Sequence, residues 1–294
     1  MELIQKSGKH EVRNNLMLKL AILSPRTLFQ GGAKKFMHRV ELCLWGYWLR
    51  RLFYQEQVDK EGRPLPLRKL FGNLNQRLME SGHTVPWVMT REECQDFWAS
   101  ITNDERFSCI RPVSYAAKDI GIIEFLHSFW TPQVAPENSI LELGCNCGAN
   151  LNALYNLGYH NLSGIEINEN AITEMKRSFP QLAKVAIIAQ GSLEELLPKT
   201  PSKSVDVVLT MSVLFHIHPK SNFVFSEMVR VARKYILTLE PEMACCAYVF
   251  PRNYRRIFEK LGCPQLKSVM ITKEASPGVK RSYDGTTIRL FAVP

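Results

Sequence analysis

From Ser139 onward the chain alternates between two hydrophobic rhythms. Short, almost continuous apolar runs at Ile140–Leu143, Leu162–Glu166, Lys184–Ala189, Val205–Met211 and Tyr235–Leu239 fit strands buried on both faces. Between them, Ala149–Leu157, Asn170–Phe179, Leu193–Leu197 and Asn222–Val231 carry apolar residues at helical spacing. This alternation predicts a parallel sheet covered by helices on both faces. Pro251–Leu261 reads as a further helix. Gln265–Thr272 and Thr287–Val293 read as two strands, joined by a loop holding Pro277-Gly278 and Asp284-Gly285. A link that short makes the two strands antiparallel to each other. The expected fold class is therefore α/β: a doubly wound seven-stranded sheet, mostly parallel, with an antiparallel C-terminal hairpin strand.

The first third of the chain has a different texture. Residues Ala33–Glu56 form its strongest helical stretch, with Phe36, Val40, Leu44 and Trp48 spaced by four on one face. Leu42–Leu49 is apolar on every side, which calls for cover by the α/β domain, a membrane interface or a partner protein. Asp59–Leu67 has loop punctuation, and Arg68–Ser81 reads as a short basic amphipathic helix. Thr90-Arg-Glu-Glu93 has the form of a capping box opening a helix to about Thr102. Arg111-Pro112 breaks the chain, and Ser114–Trp130 reads as one amphipathic helix leading into the first strand. The division expected is residues 1–110, a basic, aromatic-rich α-helical extension or lid, and residues 111–294, the α/β domain.

Charge sharpens this division. Of 294 residues with a net charge of +9, residues 1–77 hold 15 Lys/Arg against 6 Asp/Glu, and the remainder is balanced. A basic segment of this kind suits RNA, an anionic membrane surface or an acidic partner, or is simply a solvated face. The most apolar patch is bracketed by Glu41 and Arg50-Arg51, so no spanning segment is expected. No cleavable leader pattern is present, and the 8 cysteines read as reduced thiols of a cytoplasmic protein, with peripheral attachment at the inner face of a membrane left open. Cys145-x-Cys147 lacks zinc spacing, and no metal is assigned.

The chemistry concentrates in Ser139–Leu151. A strand ends at Gly144 and a helix begins after Gly148, so unpaired backbone amides surround a shallow nest. Glu142 and Glu166, at the tips of the first and second strands, would flank it. An acid at the second strand tip accepts from two vicinal hydroxyls, which points to a nucleoside-containing ligand. A dinucleotide fingerprint needs glycines at the first, third and sixth turn positions, and Gly144-Cys-Asn146-Cys-Gly148-Ala149 supplies only the first.

Glu142-Leu-Gly144-Cys-Asn146-Cys-Gly148, with Asn in place of the middle glycine, resembles the first motif of the class I S-adenosylmethionine-dependent methyltransferases. Asn tolerates the left-handed backbone that such a turn demands. The order of elements, with its late antiparallel strand, is similar to that family from about Arg111 to Pro294. The resemblance implies S-adenosylmethionine as cofactor, approached by Glu142, Gly144, Asn146 and Gly148, with Glu166 and Ile167 at the ribose. It implies Ser192 and Leu193 near the adenine, where Ser192 stands in the family's acidic position, and Met211 and Ser212 beside the cofactor. Thr210-Met-Ser-Val-Leu-Phe-His-Ile-His218 resembles the Val-Leu-x-His-Ile segment of many small-molecule members. His216 is then a candidate general base or a loop-bonding histidine, with Arg111, Tyr115 and Phe215 on the acceptor side; His218 is expected to be exposed. The activity implied is direct methyl transfer to a small organic, lipid-linked or glycosyl acceptor. RNA or protein methylation through the basic N-terminal segment is the alternative, followed by a non-catalytic cofactor-binding scaffold.

Overall fold

The computed structural model describes residues 73–294, apart from 75, 85–87, 118–120, 243–247, 273–274, 277–278 and 280–282. The aromatic segment 33–56 and the other expectations before residue 73 lie outside the described residues.

Seven strands form one sheet: β1 (Ile140–Leu143), β2 (Leu162–Glu166), β3 (Ile187–Gln190), β4 (Val205–Met211), β5 (Ala232–Glu240), β6 (Gln265–Met270) and β7 (Thr287–Ala292). Their order is β3-β2-β1-β4-β5-β7-β6. The first five run parallel, and β7 inserts antiparallel between β5 and β6. The sheet expected from the hydrophobic rhythm is the one that forms. Because strand side chains alternate, each central strand feeds two cores. Ile140, Val207, Leu237 and Leu290 pack on one face with Trp130, Leu151, Leu154 and Met175. Leu141, Val208, Ile236 and Phe291 pack on the other with Val224, Met228, Tyr254 and Phe258.

The helices are α1 (Arg91–Ala99), α2 (Pro112–Ala116), α3 (Gly121–Trp130), α4 (Ala149–Asn156), α5 (Glu169–Ser178), α6 (Leu182–Val185), α7 (Leu193–Leu196), α8 (Phe223–Val231) and α9 (Tyr254–Lys260). Two expectations need correction. The run expected as a strand over Lys184–Ala189 divides instead: Leu182, fully buried, pins α6, and β3 begins only at Ile187. β3 is the sheet's edge, so its apolar run is not covered as a central strand's would be; Ile187 is 76% exposed. The single helix expected over Ser114–Trp130 is two, α2 and α3, with Pro112 at the first turn of α2.

The segment before the sheet is fastened to it by polar bonds as well as by packing. Thr90 and Glu93 form the expected capping box of α1, each side chain bonding the other's backbone amide. The Asn168 and Asn170 side chains both donate to the Ile101 carbonyl, at 2.8 and 3.2 Å. Farther back, Arg256 grips Glu80 with two bonds of 2.6 and 2.7 Å. α1 is thereby held over the carboxyl ends of the strands.

Gly148 caps α4 in the left-handed region, at φ 73°. A Cβ there would stand 2.7 Å from Met175 Sδ and 3.0 Å from Leu182 Cδ2. Gly148→Ala therefore adds left-handed strain to overpacking. We expect a loss of about 2–4 kcal/mol in urea unfolding; a loss within the scatter of surface substitutions would contradict this account.

Candidate cofactor and acceptor site

The chain order reverses between β1 and β4: successive strands step outward through β2 and β3, then return to the other side of β1. The loops leaving β1 and β4 must part, and the crevice between them is where doubly wound sheets take ligands. A cavity opens there, lined by the turns after β1, β2, β3 and β4 and roofed by α1.

The turn after β1 is shaped by positive backbone angles. Gly144 has φ 66°, and a Cβ on it would lie 2.6 Å from Val213 Cγ2, so the β1 and β4 turns touch only because this residue is glycine. Asn146 takes φ 50°, the left-handed conformation expected of it. Its N–H donates to Glu166 Oε2 at 2.7 Å, and its Oδ1 accepts from the Cys147 N–H at 2.7 Å. The Asn168 N–H donates to Glu166 Oε1 at 2.8 Å. Both of these donors are backbone amides, the Ile167 amide also bonds the carboxylate, and Glu166 lines the cavity wall. Burial raises the Glu166 pKa, and the amides oppose the shift. Glu142 sits behind the wall, 1% exposed. It accepts from Asn150 Nδ2 at 2.7 Å, while its Oε2 is buried without a partner. Desolvation, followed in the same direction by the charge of Glu166, pushes its pKa up to about 8.

The turn after β4 is held from two sides. Ser212 has φ 56° and leads into a 3-10 turn, Leu214–His216. Glu240 Oε1 accepts the Val213 N–H at 3.1 Å. Full burial lifts the Glu240 pKa to about 7, against the pull of its amide donors. Arg252, also fully buried, donates to the carbonyls of Leu214 and Ile217 at 3.1 and 2.6 Å. The Phe250 N–H donates to the Phe215 carbonyl at 2.7 Å, and His216 Nδ1 lies 3.0 Å from the Tyr248 carbonyl. Residues 248–252 thus strap down the loop that carries His216. Burial lowers the His216 pKa to about 4.

Gly144, Asn146, Glu166, Ile167, Ser192, Leu193, Met211, Ser212, Tyr115 and His216 all line the cavity. Glu142, Gly148, Arg111 and Phe215 do not; Phe215 instead backs the His216 ring, with centroids 3.9 Å apart. Ser192 Oγ caps α7, accepting from the Glu195 N–H at 3.2 Å. His218 corrects an expectation: it is 3% exposed and lines the cavity, because Pro219 opens a turn that folds the ring against Phe250. The roof contributes residues not singled out from sequence, Arg91, Gln95 and Trp98. Their spacing of four and three on a capped helix was the available signal. Among the described residues, no helix is long and apolar enough to cross a membrane, and no three His, Cys, Asp or Glu residues gather as a metal site.

A doubly wound sheet with a late antiparallel strand, a glycine turn after β1 and an acid at the end of β2 frames the cavity. Residues 141–235 match the family model described as a methyltransferase domain. The fold is shared with magnesium protoporphyrin IX methyltransferase from Synechocystis, solved with bound S-adenosylmethionine. That likeness has a TM-score of 0.50 at 15% identity, over 71% of this chain and 99% of that one. A chain from the Haloferax volcanii complex containing the Trm112 methyltransferase activator also matches, with a TM-score of 0.50 at 14% identity, over 60% of this chain and 90% of that one. No curated protein sequence matches. Residues 141–235 thus match a methyltransferase domain, on a fold shared with S-adenosylmethionine-dependent methyltransferases.

The buried acids and imidazoles impose a pH dependence on stability. Glu142 and Glu240 hold a proton to about 8 and about 7 when folded, against an ordinary 4.5, so the folded chain binds more protons over that interval and stability falls as pH rises through it. His216 and His218, both about 4 against an ordinary 6.5, do the reverse between those values. The two effects oppose each other up to about pH 6.5, and only the loss remains above it. Stability should be level between about pH 4.5 and 6.5 and fall by about 3 kcal/mol from there toward pH 8. In urea unfolding Glu142→Gln should remove more than half of that alkaline slope; an unchanged slope would show that Glu142 ionises freely in the folded protein.

Proposed function

We propose that the protein methylates a hydroxyl oxygen of a small organic acceptor, a glycosyl or lipid-linked one included, with His216 as general base. One observation carries this reading. A carbonyl only accepts, so the 3.0 Å contact with Tyr248 puts the imidazole proton on Nδ1 and leaves Nε2 bare on a ring that lines the cavity. Burial keeps the ring neutral near physiological pH, able to accept a proton, while making it a weaker base than a free imidazole.

The carboxylate of Glu166 complements the two ribose hydroxyls of S-adenosylmethionine. The amides between Gly144 and Gly148 serve its methionine end, with Glu142 buried behind them. Ser192 and Leu193 flank the adenine, and Ile167, Met211 and Ser212 complete the wall. The bound cofactor supplies a methyl group on a sulfonium, a good leaving group, so the chain's task is alignment and exclusion of water. Trp98 and Tyr115 close the cavity over the acceptor. On this reading residues 1–110 are a roofing extension and residues 111–294 the catalytic domain, acting in the cytoplasm. The excess of 15 Lys/Arg over 6 Asp/Glu in residues 1–77 favours one other reading, an RNA acceptor guided by that segment.

Calorimetry should show S-adenosylmethionine binding that Glu166→Ala weakens by about 30-fold or more, since two hydroxyls lose a charged acceptor. His216→Gln should leave that affinity unchanged and lower kcat by about a hundredfold or more. Methyl label should pass from the cofactor into neutral hydroxyl compounds. Label entering RNA instead, with affinity falling steeply with salt, would replace the small-molecule reading with the RNA one.

A further inference from the structure

His216 and His218 stand two residues apart and both line the cavity, yet the backbone holds them in opposite hydrogen-bonding states. His216 Nδ1 faces a carbonyl, that of Tyr248, at 3.0 Å, so its proton is on Nδ1 and Nε2 accepts. His218 Nδ1 faces a donor, the Lys220 N–H, at 3.2 Å within the turn opened by Pro219. A nitrogen that accepts an N–H carries no proton, so the proton of a neutral His218 ring sits on Nε2. Each ring is packed in place: His216 between Trp98 and Phe215, with centroids 4.3 and 3.9 Å away, and His218 edge-on against Phe250 at 5.3 Å. Flipping either ring would exchange its backbone hydrogen bond for a carbon contact.

We propose that this pair selects the methyl acceptor: His216 Nε2 takes the reacting hydroxyl, and His218 Nε2–H donates to a second oxygen on the same molecule. The acceptor class is a neutral compound with adjacent oxygens, a vicinal diol or a hydroxy-carbonyl compound, as on a sugar ring. The proposal rests on the reading of His216 as the base. An ammonium group offers donors only; it would satisfy His216 and leave the His218 N–H facing another N–H, a mismatch that a closed site rejects. The cations near His218 act in the same direction, with Glu92 opposing them. The Arg91 side chain lines the same cavity, and the charges of Lys220 and Arg252, after burial, hold His218 unprotonated, with its pKa lowered to about 4.

The test uses the full-length protein with isotopically labelled histidine, loaded with S-adenosylhomocysteine and observed by long-range proton–nitrogen correlation near neutral pH. His216→Asn and His218→Asn serve only to assign the signals. His216 should appear protonated on Nδ1 and His218 on Nε2. Methyl β-glucopyranoside should shift both Nε2 signals together, and benzylamine neither. If His216 carries its proton on Nε2, the general-base reading falls and the proposal with it. If His216 is as expected but His218 is protonated on Nδ1, the proposal alone falls. Correct tautomers with no response to the glycoside, or with both rings responding to benzylamine, also overturn it.

Discussion

The strands of a parallel sheet end with backbone amides and carbonyls that no neighbouring strand can pair, and the cavity of this protein is built on that exposed fringe. Three buried ionisable side chains hold the fringe in shape. Glu166 accepts the amides of Asn146 and Asn168, joining the turn after β1 to the end of β2. Glu240 accepts an amide from the turn after β4, and Arg252 donates to two of its carbonyls. Arg252 is the extreme case. Its hydrogen bonds go to backbone carbonyls and the Asn222 amide oxygen, with the faces of Phe225 and Phe250 against the guanidinium. Burying such a group is costly unless every N–H finds a partner, so the arrangement tolerates one loop geometry and few others.

That rigidity lets the chain carry strain where it is useful. Asn146 and Ser212 adopt left-handed backbone on either side of the cavity, at φ 50° and 56°. Conformations of this kind persist where the surroundings over-determine them. Here the amide of Asn146 is tied to Glu166, and that of Ser212 to the Leu239 carbonyl at 2.8 Å. The same logic governs His216, whose hydrogen-bonding state is decided by a carbonyl contributed from residue 248. A strap well downstream in the sequence thus sets the chemistry of a loop side chain.

The sheet was legible in the amino-acid sequence because burial on both faces leaves nearly continuous apolar runs, and because Gly144 and Gly148 punctuate the first turn. Glu166 was legible as well, since an acid at a strand tip has little other reason to follow Ile165. The histidine environments were not. His218 followed by Pro219 and Lys220 reads as surface, and only its packing against Phe250 buries it. The roof residue Trp98 lies on a helix whose capping box was plain, yet nothing local shows that this helix crosses the strand ends.

What the sequence determined by itself is what neighbouring residues decide: periodicity, caps, turns and the order of strands, and with them a crevice between β1 and β4. What the tertiary structure alone decided is the protonation and exposure of the groups in that crevice. Those depend on partners such as Tyr248, Phe250 and Arg252, which lie some 30 residues beyond the loop they hold. Periodicity carries information about which face of an element is covered, but not about which distant carbonyl meets a given nitrogen.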